Sequence, residues 1–270
     1  MPRELADVLH YFLPETGAER DAPPGASAST RLSAGKRPIA ALPLVALPIG
    51  DRDVVRAAFA WNLCVEVTRL GGRGVLVSPS GRTDSVLWPS AGPGPLGSET
   101  VLAEASGLGE LYRVASDVAV ERAAGADPDA GGVVLVRVPP SWLRDSSDGT
   151  RLLRWCLLFS TSEPDELLET YGLTKLLRAA QAGARVGVTL HGVRRIRDAE
   201  RAFGRLARTA EEHLGCPLTS YGALMDDLHV FRAIVARRPI GLEHPQSPAA
   251  RALHDVAGML LDDALAWIDE

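Results

Sequence analysis

Cysteine is scarce. The 270 residues hold only Cys64, Cys156 and Cys216. Three thiols spread along the chain exclude a disulfide framework and a cysteine zinc site, and predict inert buried thiols in a reducing cytoplasm. No apolar run approaches the roughly 20 residues that span a bilayer. Met1-Pro2-Arg3-Glu4 brings an acid early with no apolar stretch behind it, so no signal peptide is expected. Positive charge is in deficit, 29 Lys and Arg against 34 Asp and Glu, for a net charge of −5. That argues against a bulk electrostatic grip on nucleic acid. Lysine is nearly missing, occurring only at Lys36 and Lys175. What is present is globular: 46% hydrophobic and 23% charged residues exclude disorder throughout, collagen and coiled coil.

Residues 3–13 (RELADVLHYFL) predict a short amphipathic helix, with Leu5, Val8, Leu9 and Phe12 at i, i+3, i+4 and i+7 and Pro14 as its stop. Residues 15–38 are rich in Ala, Gly, Ser and Pro and read as a flexible linker. An isolated helix this short is marginal in water. The segment therefore either docks on a protein partner or packs on its own domain.

From residue 39 strand and helix patterns alternate. Strands are predicted at 39–47, 74–78, 132–138, 155–160, 184–190 and 218–224. Helices are predicted at 53–70, 164–182, 197–214 and 226–237, with 99–122 helical but broken. A last helix is expected to begin at Ser247-Pro248, a capping serine before proline. Strands separated by helices of 10–18 residues imply βαβ units, hence a mostly parallel sheet with helices on both faces. In such a sheet ligands bind at the carboxyl ends of the strands. The loop after the first strand reads Gly50-Asp51-Arg52-Asp53-Val54-Val55-Arg56-Ala57.

The order of elements and several motifs resemble the MinD/ParA family of P-loop ATPases, in particular its FlhG branch. The family's GKGGVGKT, ANLA and LGxRVLLVD segments match GDRDVVRA, WNLC and Leu70-Gly71-Gly72-Arg73-Gly74-Val75-Leu76-Val77-Ser78 here. Thr161-Ser162-Glu163-Pro164 with Tyr171 and Thr174-Lys175-Leu176-Leu177 is similar to its TTPEP…Y.LIKLL segment. Ala199–Phe203, Glu211–Leu218, Arg238-Pro239 and Ser247–Leu253 resemble its later signatures. The likeness covers residues 39–265 and implies a Rossmann-like P-loop NTPase fold over 39–270, preceded by the 1–14 helix and the 15–38 linker.

The nucleotide-site positions depart from the family. On the resemblance, Asp51 replaces its first loop lysine, Arg52 and Asp53 two glycines, Val55 the glycine before the second lysine, Arg56 that lysine, and Ala57 the Mg²⁺-binding hydroxyl. Ser78 and Ser80 replace strand-end acids, Arg137 replaces another, and His191 falls near the base-contacting asparagine. A P-loop needs glycine so that consecutive amides face phosphate, lysine to neutralise it and a hydroxyl for the metal. The implied protein is a pseudo-ATPase with no cofactor and no catalytic residues, acting by protein contacts, as a homo- or heterodimer, in the spatial organisation of a flagellum, pilus, division or partition system. The competing reading is an ATPase that binds ATP and Mg²⁺ with an unconventional loop. Because the signs across the site are swapped, Arg137 is expected to bridge Asp51 or Asp53.

Other residues carry weaker chemical signals. His213, Cys216 and His229 suggest a metal site less well than a histidine at a helix C-terminus. Ser141, Asp145 and Asp148 share a polar loop without a nearby histidine, a poor serine-hydrolase pattern. Arg194, Arg195, Arg197 and Arg201 form a basic cluster, either a solvated face or a contact for an acidic partner or for DNA, the last giving a third reading as a DNA-binding partition-like factor. The acidic end Leu260–Glu270 would be repelled by anionic lipid, so Trp267 and Ile268 are expected to pack on the domain rather than bind a membrane.

Overall fold

A computed structural model describes residues 39–81, 85–124, 126, 129–144 and 148–269. The amphipathic segment carrying Leu5, Val8, Leu9 and Phe12 and the stretch 15–38 lie outside the described residues. The helices and strands are β1 (Leu44–Pro48), α1 (Val54–Arg69), β2 (Arg73–Pro79), β3 (Gly92–Pro93), β4 (Glu99–Ala103), α2 (Leu108–Ala123), β5 (Gly132–Val138), β6 (Trp155–Ser160), α3 (Pro164–Ala180), β7 (Arg185–Val193), α4 (Ile196–Leu214), β8 (Leu218–Met225), α5 (Leu228–Ala236), α6 (Ile240–Glu243) and α7 (Pro248–Asp269).

The eight strands lie in the order β3-β4-β2-β5-β1-β6-β7-β8. Every pairing is parallel except β3 with β4. Every residue of β5 and β6 is buried, as expected for strands covered on both faces. The crossovers explain that cover. The connection through α1 steps from β1 to β2 in one direction, and those through α2, α3 and α4 step in the other. With right-handed crossovers, α1 therefore lies on one face and α2, α3 and α4 on the other. α7 packs against α1, and α4 against α3.

Two sequence expectations need correction. Residues 99–103 form strand β4 beside β2, and helix α2 starts only at Leu108. Thr100 and Ala103 face inward while Leu102 is exposed, so a half-buried position between β2 and the short β3 outweighs the helical reading of this run. The first core strand begins at Leu44, not Ile39. Pro43 has no N–H to give a ladder and contributes only its carbonyl, which accepts from Val134 N at 2.9 Å.

The last helix starts as expected, with Ser247 Oγ accepting from Ala250 N at 3.1 Å. Its far end is pinned by Trp267, which stacks on Trp155 with centroids 5.5 Å apart and lies 4.7 Å from the Arg185 guanidinium. Midway, Glu66 of α1 is 1% exposed. It accepts from Arg69 Nη1 at 3.3 Å and lies 3.0 Å from Nδ1 of His254 on α7. Asn62, from the WNLC segment, accepts from Ile240 N at 2.8 Å and so fixes the start of α6. No helix among the described residues is long and apolar enough to cross a membrane.

Candidate functional site

The turn between β1 and α1 sits at the carboxyl ends of the central strands. Ile49 N donates to Val138 O at 3.1 Å, which extends the β1–β5 ladder to the edge of the turn. Asp53 then closes the turn and starts the helix. Its N–H donates to Gly50 O at 3.2 Å, and its carboxylate accepts from Arg56 N at 2.9 Å. Val54 N donates to Arg52 O, and Ala57 N to Asp53 O. Several amides at the start of α1 are thus spent inside the loop. The Asp53 carboxylate places a negative charge where the helix dipole favours one.

Register brings Arg137 beneath this turn, because it pairs with Leu47, one residue before the end of β1. The side chain is 2% exposed. Its Nη1 lies 3.0 Å from Asp51 Oδ1 and donates to Ile49 O at 3.4 Å. Its Nε donates to Ser78 Oγ at 2.9 Å. The guanidinium carbon sits 4.8 Å from the Trp88 ring centroid, within cation–π range. Of the two expected bridges, the one to Asp51 forms, while Asp53 caps α1. Ser78 belongs to this cluster. Ser80 sits in the turn beyond β2, and its N–H donates to Ala103 O at 2.8 Å.

Arg56 is the loop's second cation, 8% exposed. Its Nη2 bonds Glu166 and lies 3.7 Å from Glu169, both on α3, and its Nε is 3.3 Å from Asp53. Its charge is met by three carboxylates. Ala57 is buried and carries no hydroxyl, and Val55 is half-buried. Arg52 is exposed. A cavity of about 490 Å³ opens over the loop, lined by Gly50, Asp51, Asp53, Arg56, Glu166 and Glu169 among others.

His191, on β7, packs against Phe59 with ring centroids 5.2 Å apart and the planes tilted by 55°. Its Nε2 is buried and has no hydrogen-bond partner among the described residues. Burial first, and the Arg56 charge second, push its pKa down to about 4, so the ring is neutral at pH 7.

The strand ends therefore bring Gly50, Asp51, Asp53, Arg56, Ser78 and Arg137 together, with His191 near Arg56. Sequence reasoning missed Glu166, Glu169 and Trp88. The acid-rich start of α3 was a signal for the two glutamates; nothing local marks Trp88. Elsewhere, His213 is exposed and Cys216 buried. Among the described residues no group of three or more His, Cys, Asp or Glu is placed to hold a metal ion. Ser141 is exposed, Asp148 accepts from Gly149 N at 2.7 Å, and Asp145 lies outside the described residues. In the basic cluster, Arg194 pairs with Asp226 at 3.5 Å and Arg201 with Asp198 at 2.8 Å.

No protein-family model matches the sequence, and no curated protein sequence matches it. The three-dimensional fold does match solved structures. The MinD cell division protein of Aquifex aeolicus superposes with a TM-score of 0.56 at 12% identity, over 82% of this chain and 97% of that one. MinD of Pyrococcus horikoshii OT3, solved with Mg-ADP, gives 0.54 at 15% identity, over 84% and 98%. This chain has the MinD/ParA fold. A ParA family ATPase from Chlorobium tepidum gives 0.52 at 13% identity, over 81% of this chain and 99% of that one. Each of those solved chains is matched over almost its whole length, and this chain over 81–84% of its own.

Proposed function

We propose that this chain is a non-catalytic protein of the MinD/ParA fold, similar to the FlhG branch, that works through protein contacts in positioning a cellular machine such as a division, partition or flagellar apparatus. One observation carries the reading. Arg137 and Asp51 pair across the place where a P-loop would hold phosphate and metal, with 3.0 Å between them.

The surrounding residues do not fit a Mg-nucleotide. Asp53 holds the start of α1 through the Arg56 amide, Arg56 is engaged by carboxylates, and Ala57 offers no ligand to a metal. Four carboxylates, Asp51, Asp53, Glu166 and Glu169, line the cavity. Each unit of like charge brought within 4 Å of one costs about 1 kcal/mol in bulk water and about 4 kcal/mol near a protein surface. The internal ion pair supplies to the resting fold the charge balance that nucleotide and metal supply in a working P-loop.

The structural neighbours support the setting: MinD of Aquifex aeolicus is also solved in a complex with MinC, so a protein of this fold works with a protein partner. Titration with labelled ATP and Mg²⁺ tests the reading. No binding is expected up to about 1 mM, a range that corresponds to less than ~4 kcal/mol of affinity. Micromolar binding, or ATP turnover abolished by Arg56→Ala, would overturn it.

A further inference from the structure

A second surface lies away from the loop. Leu228, Phe231 and Val235 recur at i, i+3 and i+7 on α5 and are 62%, 52% and 69% exposed. The opposite side of the same helix buries Val230 and Ala233. A surface helix ordinarily turns a single apolar stripe to the core; α5 carries one inward and one outward. Ile234, on the same helix and next in sequence to Val235, lines a groove of about 270 Å³ between α5, α1 and the 85–98 loop, walled also by Trp61, Leu87 and Pro89 among others. Arg232, Arg237 and Arg238 are exposed around it, Arg238 pairing with Glu243 at 3.1 Å, so the rim keeps a net positive charge. Arg237 bonds Ser90 and so ties the end of α5 to that loop.

We infer that this surface receives residues 3–13 of the same chain. Their apolar residues Leu5, Val8, Leu9 and Phe12 have the helical spacing that fits a helix into an apolar groove. Glu4 and Asp7 adjoin Leu5 and Val8 in sequence and are opposite in sign to the arginine rim. A helix this short does not hold in water by itself and gains its stability from the surface it covers. The chain from Pro14 to Arg37 and Pro38 spans up to about 85 Å when extended. A folded body of this size has a radius of gyration of about 17 Å, so every face is within reach. Tethering raises the local concentration of the segment to the order of millimolar, so a modest contact suffices. The inference holds whether or not the loop binds nucleotide.

Hydrogen exchange on the full chain tests it, comparing the parent with Phe231→Asp/Val235→Asp and with Leu9→Asp/Phe12→Asp. None of these four positions lies in the described core, and unchanged protection of β5 checks the fold in each variant. Residues 3–13 are expected to exchange at least about tenfold faster in the Phe231/Val235 variant than in the parent. Residues 228–242 are expected to exchange faster in the Leu9/Phe12 variant, and both effects should persist on tenfold dilution. Three results overturn the inference: no protection of 3–13 in the parent, protection that the Phe231/Val235 variant leaves intact, or protection that vanishes on dilution together with a dimer. The last would assign the surface to a second copy.

Discussion

The Arg137 guanidinium lies 3.0 Å from the Asp51 carboxylate, between a strand interior and a turn 86 residues apart in sequence. The two ends differ in environment: the arginine side chain is 2% exposed and the aspartate 38%. Removing the aspartate alone leaves a buried cation short of a counter-charge, whereas the aspartate left behind can hydrate.

A charge-swap cycle measures this pair. Asp51→Lys sets a like charge beside a buried guanidinium and is expected to destabilise the fold by about 3 kcal/mol. Adding Arg137→Asp to it should recover at least ~1 kcal/mol, read as a non-additive coupling in urea unfolding. Strict additivity of the two changes would show that the pair does not interact.

The neutral histidine of the site sets a pH dependence. His191 holds its folded pKa near 4 against about 6.5 in an unfolded chain. The unfolded state therefore binds this proton first as pH falls. The contribution is complete above about pH 6.5 and is lost as pH drops toward 4, by roughly 2–3 kcal/mol. Urea unfolding of the parent and His191→Asn at pH 7, 5.5 and 4 isolates it from every group the two proteins share. The stability difference between them should shift by that amount, with the parent losing more.

Two glycines should respond in opposite directions to alanine. A Cβ on Gly241 would stand 1.7 Å from Glu66 Oε1, a carboxylate already committed to Arg69 and His254. Gly241→Ala is expected to cost about 3 kcal/mol or more by crowding and by breaking that network. On α7, a Cβ on Gly258 would meet nothing nearer than Leu70 Cδ1 at 4.0 Å. Gly258→Ala should stabilise by about 0.5–1 kcal/mol. Thermal unfolding of the two variants checks the signs.

The thiols offer a probe of the whole fold. Cys64, Cys156 and Cys216 are free and buried. Burial pushes the Cys64 thiol up to about 12 and raises the other two, so thiolate is rare at pH 8. An aromatic disulfide reagent should label none of them in the native chain and all three in denaturant, with the native rate following unfolding. Rapid labelling of Cys216 without unfolding would show that its strand entry opens locally.

The alternation of strands and helices was legible in the sequence because it is a local pattern. β5 reads as an apolar run broken only by Arg137 and β6 as one closed by Ser160, Gly71-Gly72 follow the end of α1, and Ser247-Pro248 announces α7. Strand β4 was not legible, because a run such as Glu99-Thr-Val-Leu-Ala becomes a strand only when β2 offers it a ladder. The loop residues were legible as a set, through the resemblance to a P-loop. Their partners were not.

The sequence alone determined that the first loop carries two carboxylates and two arginines, Asp51, Arg52, Asp53 and Arg56, since residue types need no fold to be read. Only the tertiary structure decided which carboxylate Arg137 would meet. The β1–β5 register sets Arg137 opposite Leu47, under the turn that holds Asp51, while Asp53 is drawn one step further into the start of α1. It likewise brought Glu166 to Arg56 across 110 residues. Ion pairs act over a few ångströms, and distance along the chain carries no information about them until the sheet has fixed where each strand ends.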